Sequence, residues 1–427
     1  MLIEFTVGNY RSFSNEVTLS LAKAPLRSRD RALDDRNTIV VNERLSVLRS
    51  ALVHGANASG KSNLFKAFRF MCDFVVNSAR GGQRGDAIRV EPFRLHEGLR
   101  DEPSSFEVVF RQGDQQYRYG FEADATTVSR EWLYVQRTRE AVLFDRGPGD
   151  HFEVRPAMRA FGELKAMTRS NALFLSVAAQ FNVPIAATVL DWFSAIGFLG
   201  GVDDESGPWT ALQMETDPDF ARRVNALICA LDLGIGEITA RSRALDRTEL
   251  PAGMPGEVVD RLLEEVRHVE VSASHAIQDE AGDVVGEEQF DLEEHESGGT
   301  RKLFALAGPL LQTLARGTVI VIDELDARLH PLISRAIVKL FHDPTTNPRG
   351  AQLIALSHDT GLLDRKLLRR DQIWFVEKNR RGESSLYALS ELKERNDAVF
   401  EQQYLLGRYG ATPLLSGLEQ VVGGAER

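Results

Sequence analysis

Gly55-Ala-Asn57-Ala-Ser59-Gly60-Lys61-Ser62 fills every fixed position of the pattern G-x-x-x-x-G-K-[ST]. Glycines at that spacing let a loop curl until its backbone N–H groups face phosphate oxygens. A helix starting at the loop adds the positive end of its dipole. Lys61 can then reach the outer phosphates of a nucleoside triphosphate, and the Ser62 hydroxyl can ligate Mg²⁺. Gly55, Asn57, Ser59, Gly60, Lys61, Ser62 and Asn63 form the expected nucleotide-binding set. Far downstream, the apolar run Thr318-Val-Ile-Val-Ile322 delivers Asp323 and Glu324 at its end. Two adjacent carboxylates there can divide the work. Asp323 joins Ser62 in holding the cation, and Glu324 polarises the attacking water. An apolar run before Asp-Glu says little alone; beside the glycine loop it says a great deal.

A second glycine turn, Glu296-Ser297-Gly298-Gly299-Thr300, stands just before an apolar helix predicted over Lys302–Leu314. Serine and two glycines at a helix start can serve as an N-cap or as another anion-binding loop. Its place one helix upstream of Asp323 favours the second role.

Walker A, insertion, SGG, helix and Walker B, in that order, resemble the ABC-type ATPase heads of the SMC and RecF kind. The resemblance implies ATP and Mg²⁺ as ligands. It also implies a homodimer, or a higher homo-oligomer, in which the Ser297-Gly298-Gly299 loop of one copy closes over the ATP of another. It makes Asp326, within Leu325–Pro331, the D-loop residue and His358, after Leu353-Ile-Ala-Leu-Ser357, the switch histidine beside the γ-phosphate. Arg11, in Asn9-Tyr10-Arg11-Ser12-Phe13, becomes a nucleotide-proximal arginine. Gln180, in Phe174–Asn182, becomes the Q-loop glutamine that would share the metal. ESGGTRKLF, IDELDARLHP and the stretch Gln403–Pro413 narrow the likeness to AAA-family ATPases of bacterial abortive-infection and anti-phage loci, of the RloA/AbiL-like group. That group implies a separately encoded effector, a nuclease or toxin from the same operon. Related OLD-type nucleases carry a Toprim domain, and nothing resembling one follows the ATPase motifs here.

The elements needed to position these residues are legible. Ile3, Phe5 and Val7, then Val17, Leu19 and Leu21, alternate as two antiparallel strands, and residues 22–43 read as a charged loop. A strand ends at His54. Leu64, Ala67, Phe68, Met71 and Val75 then mark one face of a helix. Period-two runs from Ser105 to Leu143, with Gln112-Gly113-Asp114 between them, predict an antiparallel layer. Short, wholly apolar runs at 319–322 and 353–356 suit parallel strands covered on both faces, and a helix at 333–341 and edge strands at 373–376 and 386–389 complete the reading. The fold class is therefore α/β, an ABC-type head with a mixed sheet, an antiparallel β layer and a mostly helical insertion. We divide the chain into residues 1–154, a helical insertion at 155–290 broken at Gly200-Gly201, Gly207-Pro208 and Pro251–Pro255, and residues 291–427.

A formal net charge of −11 does not favour nucleic acid as a general partner. DNA contact would need a local patch, for which residues 22–49 and Lys366, Arg369 and Arg370 are the candidates. That is the basis of the alternative, a RecF-like DNA-binding ATPase in repair. Cys72 and Cys229 sit in apolar helical contexts, and without a CxxC pair a zinc hook is excluded. No signal peptide and no run near the ~20 apolar residues of a membrane span occurs, so a cytoplasmic protein without membrane contact is expected. ESGGT in place of LSGGQ, and the size of the insertion, argue against a transporter subunit.

Overall fold

The computed structural model describes residues 1–28, 30–136, 139–148, 151–155, 162–200, 206–231, 234–250, 253–265, 267–394 and 398–412. Gly201, Pro251 and Pro413, on which parts of the sequence reading rest, lie outside them.

The strands are β1 (Leu2–Gly8), β2 (Val17–Ser20), β3 (Thr38–Val40), β4 (Ser46–Leu48), β5 (Ser50–His54), β6 (Ser104–Gln112), β7 (Gln115–Ala123), β8 (Val128–Gln136), β9 (Glu140–Arg146), β10 (Phe152–Val154), β11 (Gly197–Leu199), β12 (Ile238–Ala244), β13 (Arg267–Gln278), β14 (Val284–Asp291), β15 (Val319–Ile322), β16 (Gln352–Leu356), β17 (Ile373–Lys378) and β18 (Ser384–Ala388). The helices are α1 (Arg31–Asn37), α2 (Lys61–Asn77), α3 (Phe174–Gln180), α4 (Pro184–Ser194), α5 (Gly207–Thr216), α6 (Pro218–Cys229), α7 (Gly256–Glu265), α8 (Leu292–His295), α9 (Gly298–Arg316), α10 (Pro331–His342) and α11 (Phe400–Leu405).

Two compact units form. The first comprises residues 1–198, 317–325 and 335–427. It contains the expected two sheets. One is antiparallel, in the order β10-β9-β8-β7-β6-β1-β2, and the other runs β11-β15-β16-β5-β17-β18. Within the second, β15, β16, β5 and β17 are mutually parallel neighbours, and β18 closes the edge antiparallel to β17. Every residue of β5, β15 and β16 is buried, which is why these runs carry no polar alternation. In the antiparallel sheet the alternation survives: Phe106, Val108 and Phe110 are buried and the residues between them are half-buried. α2 lies between the layers through Leu64, Phe68, Met71 and Val75, with Phe5 stacked on Phe68 at 4.5 Å between ring centroids.

Residues 22–43, read as loop, contain α1. Asp30 caps it by accepting from the Ala32 N–H, and Leu33 is its one buried apolar residue, too little to mark a helical period.

The second unit comprises residues 199–316 and 326–334. α5, α6, α9 and the sheet β12-β13-β14 share a core that includes Met214, Phe220, Val224, Ile228 and Phe304. This three-stranded sheet lies within the stretch read as helical. Its strands are largely polar on the exposed side, as in Val284–Asp291 with only its last residue and Gly286 partly covered, so no clean apolar alternation announced them. The units also cut across the sequence division at 154 and 290. α3 and α4 join the first unit, where Trp192 stacks on Phe110 at 3.9 Å. α9 joins the second, where Phe304 and Ala307 complete its core.

Candidate active site

The parallel strands all point their carboxyl ends the same way, and loops leaving those ends supply the site. This is where an open α/β sheet collects ligand-binding residues. β5 runs into the glycine loop, β15 into Asp323-Glu324, β16 into His358 and β17 ends on Lys378. Together these ends line a cavity of about 400 Å³ bounded by Asn57, Ala58, Ser59, Gly60, Lys61, Ser62, Asn63, Asp323, Glu324, Leu356, His358 and Lys378.

The glycine loop is held from below. Gly60 has φ 115°, in the region that disfavours side chains, and a Cβ there would lie 2.7 Å from the Ser12 hydroxyl. Ser384 Oγ donates to the Ser59 carbonyl at 2.6 Å, Ser384 N–H donates to the Ser12 carbonyl at 2.7 Å, and Asn63 Nδ2 donates to Ser12 Oγ at 2.8 Å. Lys61, buried to 6% exposure, donates to the carbonyls of Gly55 (2.8 Å) and Ala56 (3.1 Å). Its ammonium is therefore already aimed along the loop.

Burial raises the carboxyl pKa of Asp323, and the neighbouring Glu324 charge adds to the rise. A hydrogen bond from Ser62 and the charge of Lys61 oppose it. Asp323 Oδ1 is buried with no hydrogen-bond partner. An orphaned carboxylate oxygen beside a serine hydroxyl is the donor set a small hard cation takes. Ser62 and Asp323 thus fit Mg²⁺. Glu324 sits next to them in a left-handed backbone, φ 51°, a strained conformation of the sort that marks functional positions. Leu325, anchored by its N–H to the Leu356 carbonyl at 3.0 Å, fixes the turn that follows.

Arg11 and Gln180 are not among the residues lining this cavity. Arg11 pairs with Glu91 and, with Tyr10, Lys66 and Arg69, lines a different groove. Gln180 is the exposed last residue of α3. Its apolar neighbours form the first turn of that helix, which is buried all round from Phe174 to Ala178. Conversely, the sequence reading missed Lys378, Ser12 and Ser384. Lys378 had a signal: it ends a buried strand two residues beyond the apolar run. Ser12 had one, standing beside Arg11 in the stretch that the resemblance brings to the nucleotide; Ser384 had none, because β18 meets the loop only through the fold.

Ser297, Gly298, Gly299 and Asp326 belong to the second unit. Ser297 Oγ accepts from the Thr300 N–H at 3.1 Å and lies 2.9 Å from Thr300 Oγ1. It caps the 19-residue α9 and remains exposed. A Cβ on Gly299 would lie 2.8 Å from the Arg328 carbonyl, so backbone packs where a side chain would stand. Asp326 accepts the Leu329 N–H at 3.1 Å.

A family model described as "AAA domain, putative AbiEii toxin, Type IV TA system" matches residues 51–155 and 163–364. The chain belongs to this family. No curated protein matches it. Among solved structures, the SMC head domain from Thermotoga maritima aligns with a TM-score of 0.40 and 13% identity, over 91% of this chain and 98% of that one. RecF of the RecFOR pathway aligns with a TM-score of 0.36 and 14% identity, over 91% and 98%. The protein cbiO1 from Clostridium perfringens, part of the ABC transporter complex cbiONQ, aligns with a TM-score of 0.29 and 13% identity, over 85% and 86%. This member of the AAA family thus carries both Walker motifs on one parallel sheet. No single helix among its described residues is long and apolar enough to cross a membrane.

Proposed function

We propose that this chain binds ATP with Mg²⁺ in the cavity at the strand ends, hydrolyses it in a homodimer, and uses that cycle to control a separately encoded effector. The observation that carries the ATPase reading is Asp323 Oδ1, buried and unpartnered, on a carboxylate that also accepts from Ser62 and neighbours Lys61. The loop N–H groups from Asn57 to Asn63 hold the phosphates, and Lys61 neutralises charge on the outer ones. A Mg²⁺ ion held by Ser62 and Asp323 would draw charge from the phosphoryl oxygens. Glu324 orients the water and takes its proton. His358 and Lys378 approach the outer phosphate from the neighbouring strand ends.

The dimer reading rests on α9. Its N-terminus is capped by an exposed serine and offers backbone N–H groups and a positive dipole end to an anion. In a two-fold dimer the Ser297-Gly298-Gly299 loop of each copy would close over the other's ATP, with Asp326 beside the shared interface. The effector reading is supported by the resemblance of the motifs to abortive-infection ATPases and by a family description that places the domain in a two-component toxin–antitoxin setting. The resemblance implies a partner from the same operon, a nuclease or toxin, working in anti-phage defence.

Affinity purification of the Glu324→Gln variant with ATP, from cells expressing the native operon, tests the reading. A stoichiometric partner that leaves on ATP removal supports effector control. A homogeneous chain with no partner overturns it.

A further inference from the structure

Away from the strand-end site, residues 26–28, Asp30, helix α1, the turn 365–370 and Phe400 wall a second cavity in the first unit, of about 430 Å³. That is within the range of small-ligand sites. Its rim carries Arg27, Arg36, Arg365, Lys366 and Arg370 against a single carboxylate, Asp30. Asp30 approaches Arg36 only to 3.9 Å, with both side chains more than half exposed, too weak a pair to cancel the field. In a chain of net charge −11, such a concentration of cations runs against the general surface.

The cavity is held in shape. Arg369, 1% exposed, pairs with Asp34 and with Asp371 at 2.8 Å, and donates to the carbonyls of Ala24 (3.4 Å) and Leu26 (3.3 Å). Its guanidinium ties the 24–34 segment to the 369–371 turn and, being paired, is part of the wall. Arg370 is steered by donation to the Glu394 carbonyl at 2.7 Å. The floor is apolar: Leu33, Leu368 and the ring of Phe400 are buried. Phosphate alone would use the rim and leave the floor idle. A flat ring with phosphate at one end uses both, through contact with half-buried Leu26 and stacking on the arginine planes, with charge-assisted hydrogen bonds to the phosphate.

We infer that this cavity binds a phosphorylated nucleotide, distinct from the ATP of the strand-end site. The same chemistry is presented by a free oligonucleotide signal and by the 5′-phosphorylated end of a single strand.

The test uses the full chain with the strand-end site saturated by a non-hydrolysable ATP analogue. Two fluorescent probes are titrated by anisotropy, 5′-phosphorylated diadenylate and a short 5′-phosphorylated single strand. At least one binds, with affinity that weakens as salt rises. Arg27→Glu/Lys366→Glu lowers that affinity at least ~10-fold, as loss of phosphate-facing charge predicts, while ATP turnover stays parental. Arg27→Gln/Lys366→Gln gives a smaller loss in the same direction, and an unchanged melting temperature in either variant shows intact folding. Binding of diadenylate but not the strand assigns a free nucleotide, and binding of the strand assigns a nucleic-acid end. Absence of binding by both probes, or parental affinity in both double variants, overturns the inference.

Discussion

Glu324 carries its carboxylate on a left-handed backbone, φ 51°, a conformation that costs a non-glycine residue of the order of 1–3 kcal/mol. The turn is secured by the Leu325–Leu356 hydrogen bond, so the position of the Glu324 Cα and Cβ at the strand end is set by the backbone. Glu324→Gln keeps the shape and removes the base. Turnover should fall by roughly 10²–10⁴-fold with ATP still bound, measured by phosphate release alongside filter binding; parental turnover would refute the role. Asp323 makes a prediction of opposite sign for stability. Its pKa is raised by burial, so between the usual carboxyl pKa and the raised value the folded chain holds more protons than the unfolded chain. Stability from this group is therefore present at low pH and lost as pH rises. Asp323→Asn should raise the melting temperature of the nucleotide-free protein at neutral pH and abolish Mg²⁺-dependent turnover. In the parent, Mg²⁺ affinity should weaken as pH falls toward the raised value, because the cation needs the ionised carboxylate. A Mg²⁺ titration across pH showing constant affinity through that range contradicts the assignment.

At the scale of elements, two helix starts do different work. α3 begins against Glu131, fully buried, whose oxygens accept from the N–H groups of Phe174 (2.6 Å) and Leu175 (2.9 Å) and from the Tyr119 hydroxyl (3.0 Å), with Arg146 at 3.6 Å. Glu131→Gln replaces one accepting oxygen by a donor and should destabilise the fold by about 1–3 kcal/mol, read as a lower denaturant midpoint; an unchanged midpoint would show that the cap contributes nothing. α9 begins at Ser297, which caps it and which the proposed dimer also uses as an anion site. How far each was legible follows from this difference. The glycine loop, Asp323-Glu324 and the SGG turn are each contiguous, so residue type and order sufficed. Glu131 looked like a polar residue on an alternating strand, because its partners are helix N–H groups more than forty positions away. The apolar run before Gln180 is the wholly buried start of α3, and the glutamine stands at its exposed end. β13 and β14 escaped because a small sheet with a polar outer face lacks the regular burial that alternation records.

At the scale of the whole molecule, the cavity at the strand ends is built from one compact unit and the SGG helix from the other. In the proposed cycle hydrolysis needs the first from one copy and the second from another. A two-fold arrangement has two such shared sites. The decisive measurement mixes two variants that are each inactive, Lys61→Ala and Ser297→Arg. A mixed dimer pairs the damaged loop with the damaged turn in one site and leaves the other site wholly parental. With random pairing, half the dimers are mixed and each has one working site. The equimolar mixture should therefore recover about a quarter of parental turnover. A mixture as inactive as its components would contradict the shared site and leave each chain to hydrolyse ATP by itself.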